Sequence, residues 1–225
     1  MISKPDLSRA AIVARALEIA DDEGLEAITI RRISKEFAVT PMALYWHVQN
    51  KDELLDAMGD ALFDGISTDL DPDDDWVERL RTLVMGLIAG LSTHPGSASL
   101  AYARVLQCER GLALSEVVFG LLLDDAGFDT VAAAHIGAQA LRTAVVSVSD
   151  APGRTFGDSD EAREAAHEAK RAHIAALPAQ QYPHLLQVGV PLLDCDEDDY
   201  YRIAVDLFVA GVDRLAARAT AQSRA

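Results

Sequence analysis

Cysteine is scarce in this 225-residue chain: only Cys108 and Cys195 occur, in unrelated contexts and with no Cys-x-x-Cys pair, so the disulfide framework of a small secreted scaffold is excluded. A reducing, cytoplasmic setting is the expectation. Long hydrophobic runs are missing too. The longest nearly unbroken one, Leu83–Leu91, has nine residues including two glycines, far short of the roughly 20 that cross a bilayer. Acids follow closely behind the modest apolar run near the N-terminus, so no signal peptide and no membrane association are expected. Positive charge is in deficit: 20 Lys and Arg stand against 36 Asp and Glu, a net charge of −16. As an average, that disfavours nucleic acid and anionic membranes as partners. The six histidines (47, 94, 135, 167, 173 and 184) show no His-Glu-x-x-His or other tight metal spacing. No nucleophile elbow or phosphate loop supports an enzyme either.

What is present is a composition that folds. Half the residues are hydrophobic and a quarter charged, and the length suits one large or two unequal domains. Apolar residues recur at helical spacing almost throughout, with no strand alternation and no internal repeat, so the expected fold class is all-α. A first helix starts near Ser8, buries Val13, Leu17 and Ala20, and ends at Gly24. Thr29 caps a second helix through Phe37 that buries Ile33 and Phe37. Thr40-Pro41, a capping hydroxyl followed by proline at the first helical position, opens a third helix. Asn50-Lys51-Asp52-Glu53 opens a fourth, with Leu54, Met58 and Leu62 on one face. An acidic turn over 69–75 separates this unit, residues 1–66, from a larger one over 67–225. There, helices are expected at about 76–93, 97–108, 112–126, 129–149, 158–177 and 197–218, with breaks at Pro95-Gly96, Gly111, Gly127, Pro152-Gly153 and Pro178 and a loop over 149–160.

Two long helices suggest an interface. In the last, Tyr201, Val205, Phe208, Val212 and Leu215 form a heptad seam while Ile203, Leu207 and Ala210 cover a second side. In the helix over 129–149, Ala133, Gly137, Ala140 and Ala144 form a small-residue stripe. Either both helices are central in a monomer core, or they join their copies in a four-helix dimer interface.

The segment from Thr29 to Lys51, TIRRISKEFAVTPMALYWHVQNK, reads as a helix-turn-helix. Once Leu44 and Val48 are buried, Met42, Ala43, Tyr45, Trp46 and His47 remain as a candidate reading face. Residues 27–51 contain four basic residues and one acid, a local +3, which leaves −19 for the other 200. An ordinary helical hairpin with a solvated basic face is the competing reading of such a pattern. The longer run LEAITIRRISKEFAVTPMALYWHVQNKDELLDAM, however, closely resembles the DNA-binding domain of the TetR family of transcriptional regulators. The Leu-Tyr-Trp-His-Val signature and the following Asn-Lys are shared with the tetracycline repressor branch. The resemblance spans about residues 8–64, then continues through a His-Pro-Gly break at 94–96 and a Tyr-Pro-His-Leu segment at 182–185.

The resemblance implies a homodimeric, ligand-responsive repressor on a palindromic double-stranded DNA operator, released by a small-molecule inducer and needing no cofactor. By position it implies a base or phosphate contact for Arg31 and base-edge contacts for Met42 and Ala43. Neither Met42 nor Ala43 makes a bidentate hydrogen bond, so they would read thymine methyls or groove shape. Thr40, Tyr45, His47 and Lys51 fall where phosphates are held, with Lys4 and Arg9 adding contacts from the N-terminal arm. Leu44 and Trp46 are assigned to packing. In the larger domain, Arg104, Cys108, His135, Gln139 and Arg142 are candidates to orient a ligand lined by Met85, Leu106 and Phe119. Counted from Pro95-Gly96, Leu100 stands where the tetracycline binders place a metal-coordinating histidine. An aliphatic side chain cannot ligate magnesium, so metal-assisted tetracycline binding is not expected. The competing function classes are a helical enzyme and an adaptor whose helix-turn-helix does not bind DNA.

Overall fold

A computed structural model describes residues 7–151 and 160–223. Lys4, the Pro152-Gly153 break and most of the expected 149–160 loop lie outside them. Helices α1 (Arg9–Glu23), α2 (Ile30–Glu36), α3 (Pro41–Tyr45) and α4 (Lys51–Phe63) build the N-terminal head. Each of three is started by a side chain satisfying an orphan backbone donor. Ser8 Oγ accepts from the Ala11 N–H at 3.2 Å, Thr29 Oγ1 from Arg32 at 3.0 Å, and Asn50 Oδ1 from Glu53 at 2.8 Å. The Glu53 carboxylate reaches back to the Gln49 N–H at 2.6 Å. Gly24 ends α1 at φ +84°, a left-handed value that a side chain would strain. Ile12, Ile19, Ile33, Leu44, Val48, Leu54 and Met58 close the head's core at essentially zero exposure.

Thr40 corrects one expectation. Its backbone is extended before Pro41, but its hydroxyl makes no capping bond. The turn before it passes through Ala38 at φ +51°, and Pro41 at the first helical position leaves one fewer donor to satisfy.

The second unit comprises α5 (Trp76–Ser92), a 3-10 turn (Pro95–Ser97), α6 (Leu100–Arg104), α7 (Glu109–Gly120) running into a π turn (Leu121–Asp125), α8 (Thr130–Ser149), α9 (Asp160–Ala175), α10 (Pro183–Leu193) and α11 (Glu197–Ser223). Helices α5, α8 and α11 pack on one another. They bury Leu80, Val84, Ile88 and Leu91 against Ala133, Ala140 and Ala144 and against Tyr201, Val205 and Val212. Across this core, Arg81 of α5 pairs with Asp206 of α11. No strand occurs among the described residues.

Several expected elements differ. The helix expected over 97–108 is the short α6 followed by a corner. Gly111 lies inside α7 rather than breaking it: a Cβ there would overlap the Val105 backbone, so glycine serves close approach at that corner. Helix α10 was not anticipated, because Gly189 and Pro191 interrupt its pattern, yet Gly189 is where Ile174 of α9 packs (2.5 Å to a built Cβ). The small-residue stripe of α8 is spent within the chain, with Ala133, Ala140 and Ala144 buried in the core and Gly137 lying under the Phe119 ring, which a built Cβ would approach to 2.7 Å.

A charge network braces the head. Arg15 binds Glu36 at 2.5 Å and Glu18 at 2.6 Å, and Arg32 binds Glu23 at 2.5 Å and also Glu36. Hydrogen bonds from Arg32, then Arg15, hold the Glu36 carboxyl below the usual carboxylate range. A carboxyl lowered on folding adds stability that is fully present above its unfolded pKa, about 4.3, and is lost as pH falls through the folded value. Glu36→Gln is therefore expected to lower the melting temperature by a constant amount between about pH 6 and 8, with the gap closing in acid below about pH 4. Calorimetric scans across pH check this; a gap that widens in acid contradicts it.

Candidate nucleic-acid interface

The turn between α2 and α3 brings the reading face together. Val39 N–H bonds the Ser34 carbonyl at 3.0 Å, and Leu44 and Val48, both fully buried, anchor α3 and the turn after it. That anchoring turns the opposite face outward: Met42 is 69% exposed, Tyr45 45% and Trp46 85%. Ala43 and His47 are half-buried and Thr40 is exposed beside them. Arg31, Lys35 and Tyr45 border a groove of about 490 Å³ between α2 and α3, with Ile30, Ser34, Val39 and Pro41. Lys51, exposed, opens α4 at the same end.

The charges divide into two groups. Arg32 is spent on Glu23 and Glu36, and Arg9 pairs with Glu53 at the start of α4. Arg31, Lys35 and Lys51 form no ion pair among the described residues and are the cations left to face a polyanion. Glu53 is held below the usual carboxylate range by the Gln49 N–H and then by Arg9, which keeps its charge engaged within the protein.

Two residues differ from the sequence expectation. Trp46, expected to pack, presents its indole to solvent, since with Leu44 and Val48 turned inward it falls on the outer side of the turn. Lys35 contributes more than bulk charge: four residues after Arg31, it shares one face of α2 with it and borders the same groove.

Helix α4 links this face to the core. Asp52, Asp56, Asp60 and Asp64 recur one turn apart along it. Arg104, whose side chain is only 12% exposed, binds Asp56 at 2.6 Å and reaches Asp52 at 3.5 Å. The Arg110 N–H donates to Asp60 at 3.1 Å, and its guanidinium pairs with Asp64 at 3.0 Å. Gly59 lets the two elements meet closely, because a Cβ there would lie 2.8 Å from that of Arg104.

The family model described as bacterial regulatory proteins of the tetR family matches residues 12–58, and that of the tetracyclin repressor-like C-terminal domain matches residues 68–216. The chain belongs to the TetR family. An HTH-type transcriptional regulator of Saccharopolyspora erythraea is 31% identical over 177 residues, covering 79% of this chain and 75% of that protein. The class C tetracycline repressor of Escherichia coli is 43% identical over 77 residues, 33% of this chain and 35% of its own. Among solved structures, the Streptomyces coelicolor TetR family protein ActR in complex with actinorhodin superposes with a TM-score of 0.73 at 26% identity, covering 94% of this chain and 99% of that one. This TetR family member is a DNA-binding transcriptional regulator with a helix-turn-helix head and a helical C-terminal domain.

Among the described residues, the expected ligand residues have different surroundings. Arg104 is committed to α4, and Cys108 is buried beside Gly59, its thiol pushed up by burial. Phe119 packs on Gly137 and Met85 is half-buried, whereas Leu106 is exposed. His135, Gln139 and Arg142, spaced by four and three, share the outer face of α8. Leu100 is buried at the start of α6. No group of three or more His, Cys, Asp and Glu is placed to hold a metal ion among the described residues.

Trp46 gives the interface an optical handle, since the other tryptophan, Trp76, packs edge-on against Phe128 at 6.4 Å. Iodide is expected to quench Trp46 in the free protein and to lose access when a duplex from upstream of its own gene is added. Lys35→Ala or Lys51→Ala should each reduce the slope of log affinity against log salt by about 1, while Met42 substitutions change which sequence is preferred. An unchanged slope in both lysine variants would remove them from the phosphate contacts.

Proposed function

We propose that the protein is a homodimeric repressor that reads the two halves of a palindromic operator with two copies of α3 and is released by a small-molecule inducer bound in the C-terminal domain. The division into a reading head, residues 1–66, and a ligand-binding and dimerisation unit, residues 67–225, is part of that reading. So are work in the cytoplasm, where the DNA is, and the DNA roles of Arg31, Thr40, Met42, Ala43, Tyr45, His47 and Lys51, extended to Lys35 and Trp46. The observation that carries it is the exposed α3 face flanked by cations that form no ion pair among the described residues. Bases and phosphates are what such a surface fits, in a chain whose remaining charge is strongly negative.

Dimerisation is supported by surfaces that the monomer leaves uncovered. On α11, Ile203 and Leu207 are 50% and 72% exposed, and Ala210 continues their stripe. On α8, Val131 and Val146 are exposed along with His135, Gln139 and Arg142. Two helices per subunit with one face in the core and one outside suit a four-helix interface. His135, Gln139 and Arg142 are accordingly assigned to that interface, leaving Met85, Cys108 and Phe119 as the inward-facing members of the ligand set.

Release follows from linkage: a ligand weakens DNA binding only so far as it binds the other conformation more tightly. The Arg104 and Arg110 contacts to α4 are the route by which a change in α6 and α7 reaches the head. Actinorhodin, bound by ActR, and tetracyclines, named for the class C repressor, are the chemical starting points for a ligand screen.

Leu207→Asp is expected to give a folded monomer by sedimentation, with affinity for upstream DNA reduced by about 100-fold or more, because two half-sites no longer act together. A monomeric variant that keeps full affinity would contradict the palindrome reading.

A further inference from the structure

We propose that Asp21 is the positioning residue that sets the angle of the DNA-reading head on the core, acting through His94 and Gly96. The proposal rests on the DNA-binding reading above and adds a second tether to the one formed by α4.

Asp21 lies in the last turn of α1, and the residues it binds lie more than 70 positions later in the chain. One carboxylate oxygen accepts the Gly96 N–H at 2.8 Å, and the other is 2.7 Å from His94 Nδ1. The backbones meet at the same point: a Cβ on Gly96 would overlap the Ala20 carbonyl, so the turn over Pro95–Ser97 lies directly on the end of α1. Beside this contact the joint is open. A cleft of about 640 Å³ runs between α1, α4 and the end of α5, lined by residues including Val13, Leu17, Ala57, Ala61, Thr93 and His94.

Apolar packing is non-directional, and where a cleft replaces it the angle between two bodies is weakly defined. Two directional bonds on one carboxylate define that angle. The α4 clasp fixes the head along one helix, about which it could still turn. Asp21 fixes a second point away from that axis. The Pro95–Ser97 turn leads straight into α6, so a displacement at the start of α6 is delivered to α1 as well as to α4.

The test uses the full chain with Cys195→Ser and spin labels at Gln49→Cys in the head and Glu116→Cys in α7, labelled protein being diluted into unlabelled to suppress distances between subunits. With Asp21 intact, one narrow distance distribution is expected. Asp21→Ala broadens or shifts it, and Gly96→Ala, which keeps the carboxylate, does the same. Asp21→Asn, which still accepts the Gly96 N–H, restores the narrow distribution. In titrations of duplex DNA from upstream of the gene, Asp21→Ala is expected to lose about tenfold in affinity with an unchanged salt slope, and Asp21→Asn to recover most of it. An unchanged distribution in both Asp21→Ala and Gly96→Ala overturns the tether, and a reduced salt slope in Asp21→Ala overturns the positioning role in favour of a DNA contact. If the unsubstituted protein shows no selective DNA binding, the DNA reading falls and with it the functional role of Asp21, whatever the distances show.

Discussion

Helix α4 has to belong to two bodies at once, and most of the molecule can be understood from that constraint. Its first turn is shaped by the head, through the Asn50 cap and the Arg9–Glu53 pair. Leu54, Met58 and Leu62 are buried without remainder. Its aspartate stripe is held by Arg104 and Arg110 from the second unit. A helix committed on several sides cannot move without moving what it touches, because close-packed contacts transmit displacement rather than absorb it. On the proposed reading, that property is the route by which a change in the second unit reaches the reading face.

The charge distribution follows a related logic. A net charge of −16 works against general affinity for DNA. Within the head, the arginines that could have broadened attraction are engaged: Arg15 and Arg32 knit α1 to α2, and Arg9 joins α1 to α4. What remains for DNA is a small set of cations around an exposed tyrosine, methionine and tryptophan. On the proposed reading, attraction is thereby confined to the surface that would also read shape and bases, which favours selection over indiscriminate coating.

Local features of the fold were legible in the sequence, and tertiary ones less so. Ser8, Thr29 and Asn50 announce helix starts because a capping bond involves residues only two or three apart. Leu54, Met58 and Leu62 announce a buried face by spacing alone. Spacing does not say which apolar or polar face turns inward: His135, Gln139 and Arg142, expected to orient a ligand, share the outer face of α8 in the single chain. Position within the family motif assigns Trp46 to packing, but its place is decided by how Leu44 and Val48 anchor the turn. Helix α10 is hidden by Gly189 and Pro191, and packing against α9, with Ile174 on Gly189, is what the spacing does not show. The Asp21–His94 contact joins residues far apart in sequence, and no periodicity marks it.

The central claim is that two copies of this chain read DNA symmetrically through α3. The most direct measurement is selection of bound duplexes from a random-sequence pool by the full-length protein at physiological salt, followed by sequencing. The expected result is an enriched inverted repeat whose half-sites are separated by about one helical turn or a multiple of it. Enrichment of an unrepeated sequence, or no enrichment at all, would contradict it.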